Sequence, residues 1–297
     1  MTKQEKLAPY LFVSPFFILF LIFGLYPTLY SIYISFFKWT ISGSQGFVGL
    51  KNYANLLTKD PFFLIALKNT MWLLIFGSIL QHLFAIPLAI LLNNGANALK
   101  GRDFFKTAFF IPYITSTVSV TLIFAQLFDM KYGWLNYLLI HLLHRDPVNW
   151  LSNPRTIKVA LSIMLNWRFI GWNTIIYLAG LQSISRTLYE AAEIDGAGPI
   201  AKHWYVTVPQ LMPIIFFAMT MSIIGGMQVF DEPFVLLGGY EQMGGNMNSG
   251  LTSAFYLMFT GFKASRFGKA SAIAWLLFSI ILVMTIINRA VTKAFQK

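Results

Sequence analysis

The sequence predicts an all-α polytopic membrane protein with six transmembrane helices in a single domain, 1–297. Three observations lead there. The chain is 57% hydrophobic but only 11% charged, against about 25% charged residues in an average soluble domain, so most of it is unsuited to water. Its apolar residues gather into six long stretches, each near the 20 residues a helix needs to cross a hydrocarbon core of about 30 Å. Its basic residues are scattered singly around those stretches, as membrane-flanking lysines and arginines are. Backbone groups in lipid must be bonded internally, which makes the spans helices.

The first stretch, 10–34, follows Lys3 and Lys6 in the manner of a signal peptide. It is too long for such a segment, and no small-x-small cleavage site follows it, so it is read as a retained helix. The second is 71–92 and the third 107–128. Pro27, Pro87 and Pro112 lie within or beside these three, as membrane helices tolerate. The fourth is 159–181. A polar connector, 184–208, separates it from the fifth, 209–230, and the sixth is 270–287. Placing both termini inside concentrates Lys and Arg in the shorter, inner segments, which favours that orientation.

The connector carries two sets of helix punctuation. Thr187 and Glu190 have the spacing of a capping box, predicting a helix that starts just after Thr187. Gly196 can end that helix, because glycine enters the left-handed conformation cheaply. Gly198-Pro199 restarts one, with proline at a first position that needs no N–H. Pro209 begins the next span. The expected product is a helix-turn-helix at the membrane surface.

Glu190-Ala-Ala, three residues, Gly196, nine residues, Val206-Thr-Val-Pro209 resembles the EAA loop of ABC-importer permeases. Phe47-Val-Gly-Leu-Lys-Asn-Tyr53 is similar to the first outer loop of the sugar and glycerol-phosphate branch. Leu99-Lys-Gly-Arg102 before Ile111-Pro-Tyr113 is similar to that branch's inner loop, and Trp167–Gly171 with Leu178–Ile184 to its fourth span and exit. The resemblance runs over nearly the whole chain. It implies the maltose-like, type I ABC importer permease fold. The implied activity is ATP-driven, binding-protein-dependent uptake of a sugar or oligosaccharide across a bacterial or archaeal cytoplasmic membrane, with both termini cytoplasmic. The implied partners are a second homologous permease forming a heterodimer, an ATPase dimer, an extracytoplasmic solute-binding protein, the carbohydrate and the bilayer. Glu190, Ala191, Ala192, Asp195, Gly196 and Pro209 are the implied ATPase-coupling residues, on a coupling helix at 187–199. One departure stands out. The Thr-x-Gly-Gly-Pro turn frequent after the fifth span of the family is replaced by Leu236-Leu-Gly-Gly-Tyr240, without the proline.

Other chemistries fit poorly. No cofactor is expected in this chain, and ATP and magnesium fall to the partner ATPase. Gly261-Phe-Lys-Ala-Ser-Arg-Phe-Gly268-Lys269-Ala270 has six residues between its glycines and no hydroxyl after the lysine, so it is no phosphate cradle. His141 and His144 lack a third convincing ligand. No nucleophile–base set occurs, so the chain is read as no enzyme. The net charge of +11 is spread rather than patched, which argues against nucleic acid. An ion-coupled secondary transporter is the alternative, but it would usually show intramembrane carboxylates or broken helices in paired halves.

Polar residues inside the spans are the remaining clue. Trp167 and Asn173 in the fourth span, and Gln228 and Asp231 at the outer end of the fifth, are candidates to line the substrate pathway, since aromatic faces and hydrogen-bonding groups suit a sugar. Helix–helix packing is the competing explanation. Arg168 is expected to face protein or a water-filled cavity. It could pair with Asp231 or Glu232 as a gate or clamp.

Overall fold

The computed structural model describes residues 3–93 and 101–295. Leu99 and Lys100 of the inner-loop motif lie outside the described residues. Two compact units divide the chain: Met1–Asp60 with Leu257–Leu276, and Pro61–Tyr256 with Leu277–Lys297.

The first unit begins with α1 (Lys3–Phe20), a π turn at Leu21–Leu25 and α2 (Tyr26–Ser35). Residues Tyr10–Ser35 are long and apolar enough to cross a membrane. Almost every side chain there faces outward, as suits a helix sheathed by lipid or a partner. A hairpin follows, β1 (Phe37–Thr40) against β2 (Gly43–Phe47), antiparallel, with Phe37 opposite Phe47. Then comes α3 (Lys51–Thr58), whose Asn52 Nδ2 donates to the carbonyls of Ser35 and Phe37 at 2.8 and 3.0 Å. Those bonds satisfy the backbone where helix turns into hairpin.

The second unit holds α4 (Pro61–Asn93), α5 (Arg102–Ile114), α6 (Thr117–Leu127), α7 (Trp134–Leu143), α8 (Pro154–Gln182), α9 (Arg186–Ile194), α10 (Pro199–Lys202), α11 (Val208–Met227), α12 (Asp231–Leu236), α13 (Gly239–Gln242) and the start of α14 (Ser253–Met258). Helix α8 packs against α4, α5 and α11, and α12 packs on α6. One core joins Leu73, Phe124, Ile157, Leu161 and Leu236. A second joins Ala85, Ala89, Tyr177, Leu178 and Leu211. At Gly171 a Cβ would lie 1.7 Å from the carbonyl oxygen of Phe109. Only the absent side chain lets α5 and α8 meet backbone to backbone. The last helix, α15 (Phe267–Phe295), gives its first ten residues to the first unit and the remainder to the second.

The six expected spans are recovered in part. Among the described residues, four helical runs are long and apolar enough to cross a membrane: Tyr10–Ser35, Pro61–Asn93, Pro199–Leu236 and Phe267–Ala294. Counting the bent pair α5 and α6 as one span makes five. The expected third span, 107–128, is not straight: α5 and α6 meet at 97°. The chain is extended at Thr115, with φ −74° and ψ 147°, and at Ser116, with ψ 126°. Neither residue is glycine or proline, so the break carried no sequence flag. The expected fourth span is inside α8, whose 29 residues reach about 43 Å at 1.5 Å per residue. Asn166, Arg168 and Asn173 dilute its apolar character, and it falls outside the runs picked by length and apolarity alone.

Candidate functional site

The connector between α8 and α11 folds as a helix-turn-helix. Its first cap differs from the capping box expected at Thr187 and Glu190. Ser185 is the N-cap: its Oγ accepts from Thr187 N at 3.3 Å and lies 2.8 Å from Thr187 Oγ1. Helix α9 therefore starts at Arg186, and Glu190 falls two residues too deep to close a box. Two hydroxyl residues stand two positions apart, and the backbone turn selects the earlier one. Its other end follows the expected chemistry. Gly196 has φ +77°, Gly196 N donates to Glu193 O at 3.0 Å, and Ala197 N donates to Ala192 O at 2.9 Å, the paired bonds of a Schellman motif. Gly198 caps α10, and Pro199 occupies its first position.

No break separates α10 from α11. A π turn, His203–Thr207, joins them, and Val208 N bonds to His203 O. Pro209 sits just beyond it as the second residue of α11. Proline has no N–H and its ring crowds the carbonyl four residues back, and a locally widened turn absorbs both. Helical runs therefore continue through Pro209 where a start was expected.

Three side-chain contacts brace the knuckle. Tyr189 OH lies 3.0 Å from Thr207 Oγ1, His203 Nδ1 lies 3.2 Å from that same oxygen, and Lys202 pairs with Glu193. Glu190, Ala191, Asp195, Gly196 and Pro209 are exposed, and Ala192 is half-buried. The knuckle also shows apolar groups to the outside: Ile194 is 87% exposed, Ile200 75% and Tyr205 83%, with Leu188 and Trp204 beside them. Helix α9 buries none of its residues. A braced element with uncovered apolar side chains is built to meet something.

The second feature is a cavity of about 270 Å³ among α4, α5, α8 and α11. Gln81 and Ser78 line it from α4, Tyr113 from α5, Phe169, Trp172 and Asn173 from α8, and Ser222 from α11. Tyr113 and Trp172 stack with ring centroids 4.4 Å apart and an interplanar angle of 18°. Asn173 Nδ2 donates to Gln81 Oε1 at 3.4 Å, and Asn173 Oδ1 is buried without a hydrogen-bond partner among the described residues. Apolar walls with a few polar groups are the usual make-up of a small-molecule site.

Of the four pathway candidates, Asn173 lines this cavity. Trp167 is half exposed, with its ring edge-on to Phe124 at 5.3 Å. Gln228 ends α11 and Asp231 begins α12, both exposed. The structure does not bring these three to Asn173's cavity. It adds Gln81, Tyr113 and Trp172, which sequence reasoning passed over. Leu165, Phe169 and Trp172 form one helical stripe with Asn173 beside it, and Leu74, Ser78 and Gln81 form another; those stripes were the readable signal. Arg168 pairs with Glu232, not Asp231, at 2.7 Å.

Residues 85–297 match the family described as the binding-protein-dependent transport system inner membrane component. The chain belongs to that family. This inner-membrane component is 37% identical over 298 residues to the arabinooligosaccharides transport system permease protein AraP of Bacillus subtilis, covering 99% of this chain and 91% of that one. It is 33% identical to the lactose transport system permease protein LacF of Rhizobium radiobacter, covering 94% and 92%. Its fold is similar to a chain in the crystal structure of a bacterial ABC transporter that imports the acidic polysaccharide alginate, with a TM-score of 0.83, 23% identity, and 99% and 98% of the two chains covered. The inner-membrane component is thus a multi-pass membrane protein whose relatives are transport permeases rather than enzymes.

Proposed function

We propose that this inner-membrane component forms one half of the translocation pathway of an ATP-driven importer for a sugar or oligosaccharide. A second, homologous permease supplies the other half, an extracytoplasmic binding protein delivers the solute, and a separate ATPase dimer hydrolyses ATP with its magnesium. The observation that carries this reading is the braced knuckle with Leu188, Ile194, Ile200, Trp204 and Tyr205 uncovered. Residues 187–199 dock on the ATPase, with Glu190, Ala191, Ala192, Asp195 and Gly196 at the contact and Pro209 at its base. Relatives named for arabinooligosaccharides, lactose, and trehalose and maltose support the solute class. The cavity suits it, with stacked aromatic rings and uncharged hydrogen-bonding groups. In this reading the chain crosses six times, with α8 as the fourth crossing, the bent α5–α6 pair as the third, and both termini cytoplasmic.

Affinity purification of the chain from membranes tests it. The expected result is a complex with a second permease and an ATPase, and loss of that ATPase when residues 187–199 are replaced by a glycine–serine tether. Because the chain has no cysteine, an Ile194→Cys variant also reports the side of the knuckle: an impermeant thiol reagent must reach it from the cytoplasmic face. Uptake that survives the tether, or that follows an ion gradient without ATP, overturns the proposal.

A further inference from the structure

Arg168 and Glu232 form a deeply placed ion pair. Nη1 lies 2.7 Å from Oε1, and their side chains are only 13% and 8% exposed. Charges in a membrane segment are costly and mark function more often than stability. This pair stands at a particular place. On α8, Arg168 lies between Leu165 and Trp172 along one helical stripe, and both of those line the cavity. Its guanidinium carbon lies 5.6 Å from the ring centroid of Phe169, a third wall residue. Glu232 lies three residues past Val229, the last wall residue before α12.

The elements around the pair are jointed. Helix α11 stops at Met227, and α12 starts only at Asp231. Helix α6, on which α12 packs, is the far arm of the 97° bend. At the far end of α12, Leu236 joins Val120 and Phe124 of α6 and Ile157, Leu161 and Met164 of α8 in one core, so the three helices hold together there by apolar contact. At its first turn, beside the cavity, α12 meets α8 through the charge pair. Arg168 Nε is buried with no hydrogen-bond partner among the described residues, so the guanidinium keeps a donor in reserve for another arrangement.

We infer that Arg168 and Glu232 are a latch: paired, they hold the first turn of α12 against α8 and shut one mouth of the cavity, and unpaired they let that turn swing away about the apolar core at the other end of α12. They are positioning residues, since neither lines the cavity. Which face opens rests on the orientation proposed above, and the test separates the two ideas. Ser222→Cys places a thiol on the cavity wall of a chain that has none. The assembled complex, in right-side-out and in inside-out vesicles, is exposed to an impermeant cationic methanethiosulfonate, and modification of this chain is followed by mass. Glu232→Gln is expected to speed modification about tenfold or more from the outer face by shifting the population to the open form. Arg168→Gln is expected to open the same face. The reversed pair R168E/E232R restores the slow rate, a rescue that a general packing defect does not give. Faster modification from the inner face alone keeps the latch and overturns the orientation. Unchanged rates on both faces for Glu232→Gln, or different faces opened by the two single variants, overturn the latch even where the reversed pair does not assemble.

Discussion

The hydroxyl of Tyr189 lies 3.0 Å from Thr207 Oγ1. Tyr189 belongs to the outer helix of the knuckle, and Thr207 closes the π turn at the foot of α11. Thr207 is buried while most of the knuckle is exposed, and His203 reaches the same oxygen. A push on α9 therefore reaches a membrane helix through hydrogen bonds across 18 residues of sequence, rather than through a loose loop.

Tyr189→Phe removes that bond and keeps the ring. A net hydrogen bond is worth about 0.5–1.5 kcal/mol, so a coupling loss of about two- to tenfold is expected. Uptake should fall while ATPase co-purification stays. Thr207→Val combined with Tyr189→Phe should add little further loss, and an additive double variant would show that the two groups do not act as a pair.

Gly196 and Gly198 separate conformation from space. An added Cβ meets nothing within 4 Å at either position, but only Gly196 has a positive φ, +77°. Left-handed backbone costs an ordinary residue about 1–2 kcal/mol. Gly196→Ala should destabilise the helix-turn-helix by that amount, seen as faster amide exchange at Ala197 and weaker ATPase retention. Gly198→Ala should leave both near the parental level. Equal loss in the two variants would point to a crowded docking surface instead.

The knuckle was largely legible because its chemistry is local. Gly196 and Pro199 act through their own backbones, so their meaning is the same in a sequence as in a fold. Ser185 over Thr187 was not legible, because both hydroxyls satisfy the rule and only the turn geometry chooses. The bend at Thr115–Ser116 was hidden for a related reason: neither residue forces it, and packing of α5 on α8 and of α6 on α12 holds it. The cavity was legible only at Asn173. Its partner Gln81 lies 92 positions away, and an amide in an apolar run looks alike whether it faces lipid, another helix or a solute.

Gly171→Ala should be among the most damaging single-carbon changes in the second unit. Its Cβ would fall 1.7 Å from the Phe109 carbonyl oxygen, and backbone cannot step aside as a flexible side-chain tip can. Overpacking a tight contact costs about 1–3 kcal/mol, occasionally more. A lower midpoint in thermal unfolding of the detergent-solubilised complex is expected. Gly225→Ala, where nothing lies within 4 Å of the new carbon, should leave that midpoint in place, and a similar drop there would show general intolerance of substitution in these helices.

Gln81 and Asn173 offer the sharpest test of the cavity as a route for a sugar. Their contact, donated by Asn173 Nδ2, is long at 3.4 Å, and Asn173 Oδ1 has no partner among the described residues although Asn173 is 2% exposed. A buried acceptor left open in this way is destabilising by about 1–3 kcal/mol, a cost that a solute hydroxyl donating to it would remove. Asn173→Leu should therefore leave the assembled complex as stable as the parent or more so, while transport falls about tenfold or further as the hydrogen bond to the solute is lost. If the two amides serve only to join α4 to α8, the same substitution should instead lower the unfolding midpoint, and uptake per assembled complex should hold. Measuring both quantities on one preparation distinguishes a solute-facing amide from a helix tie.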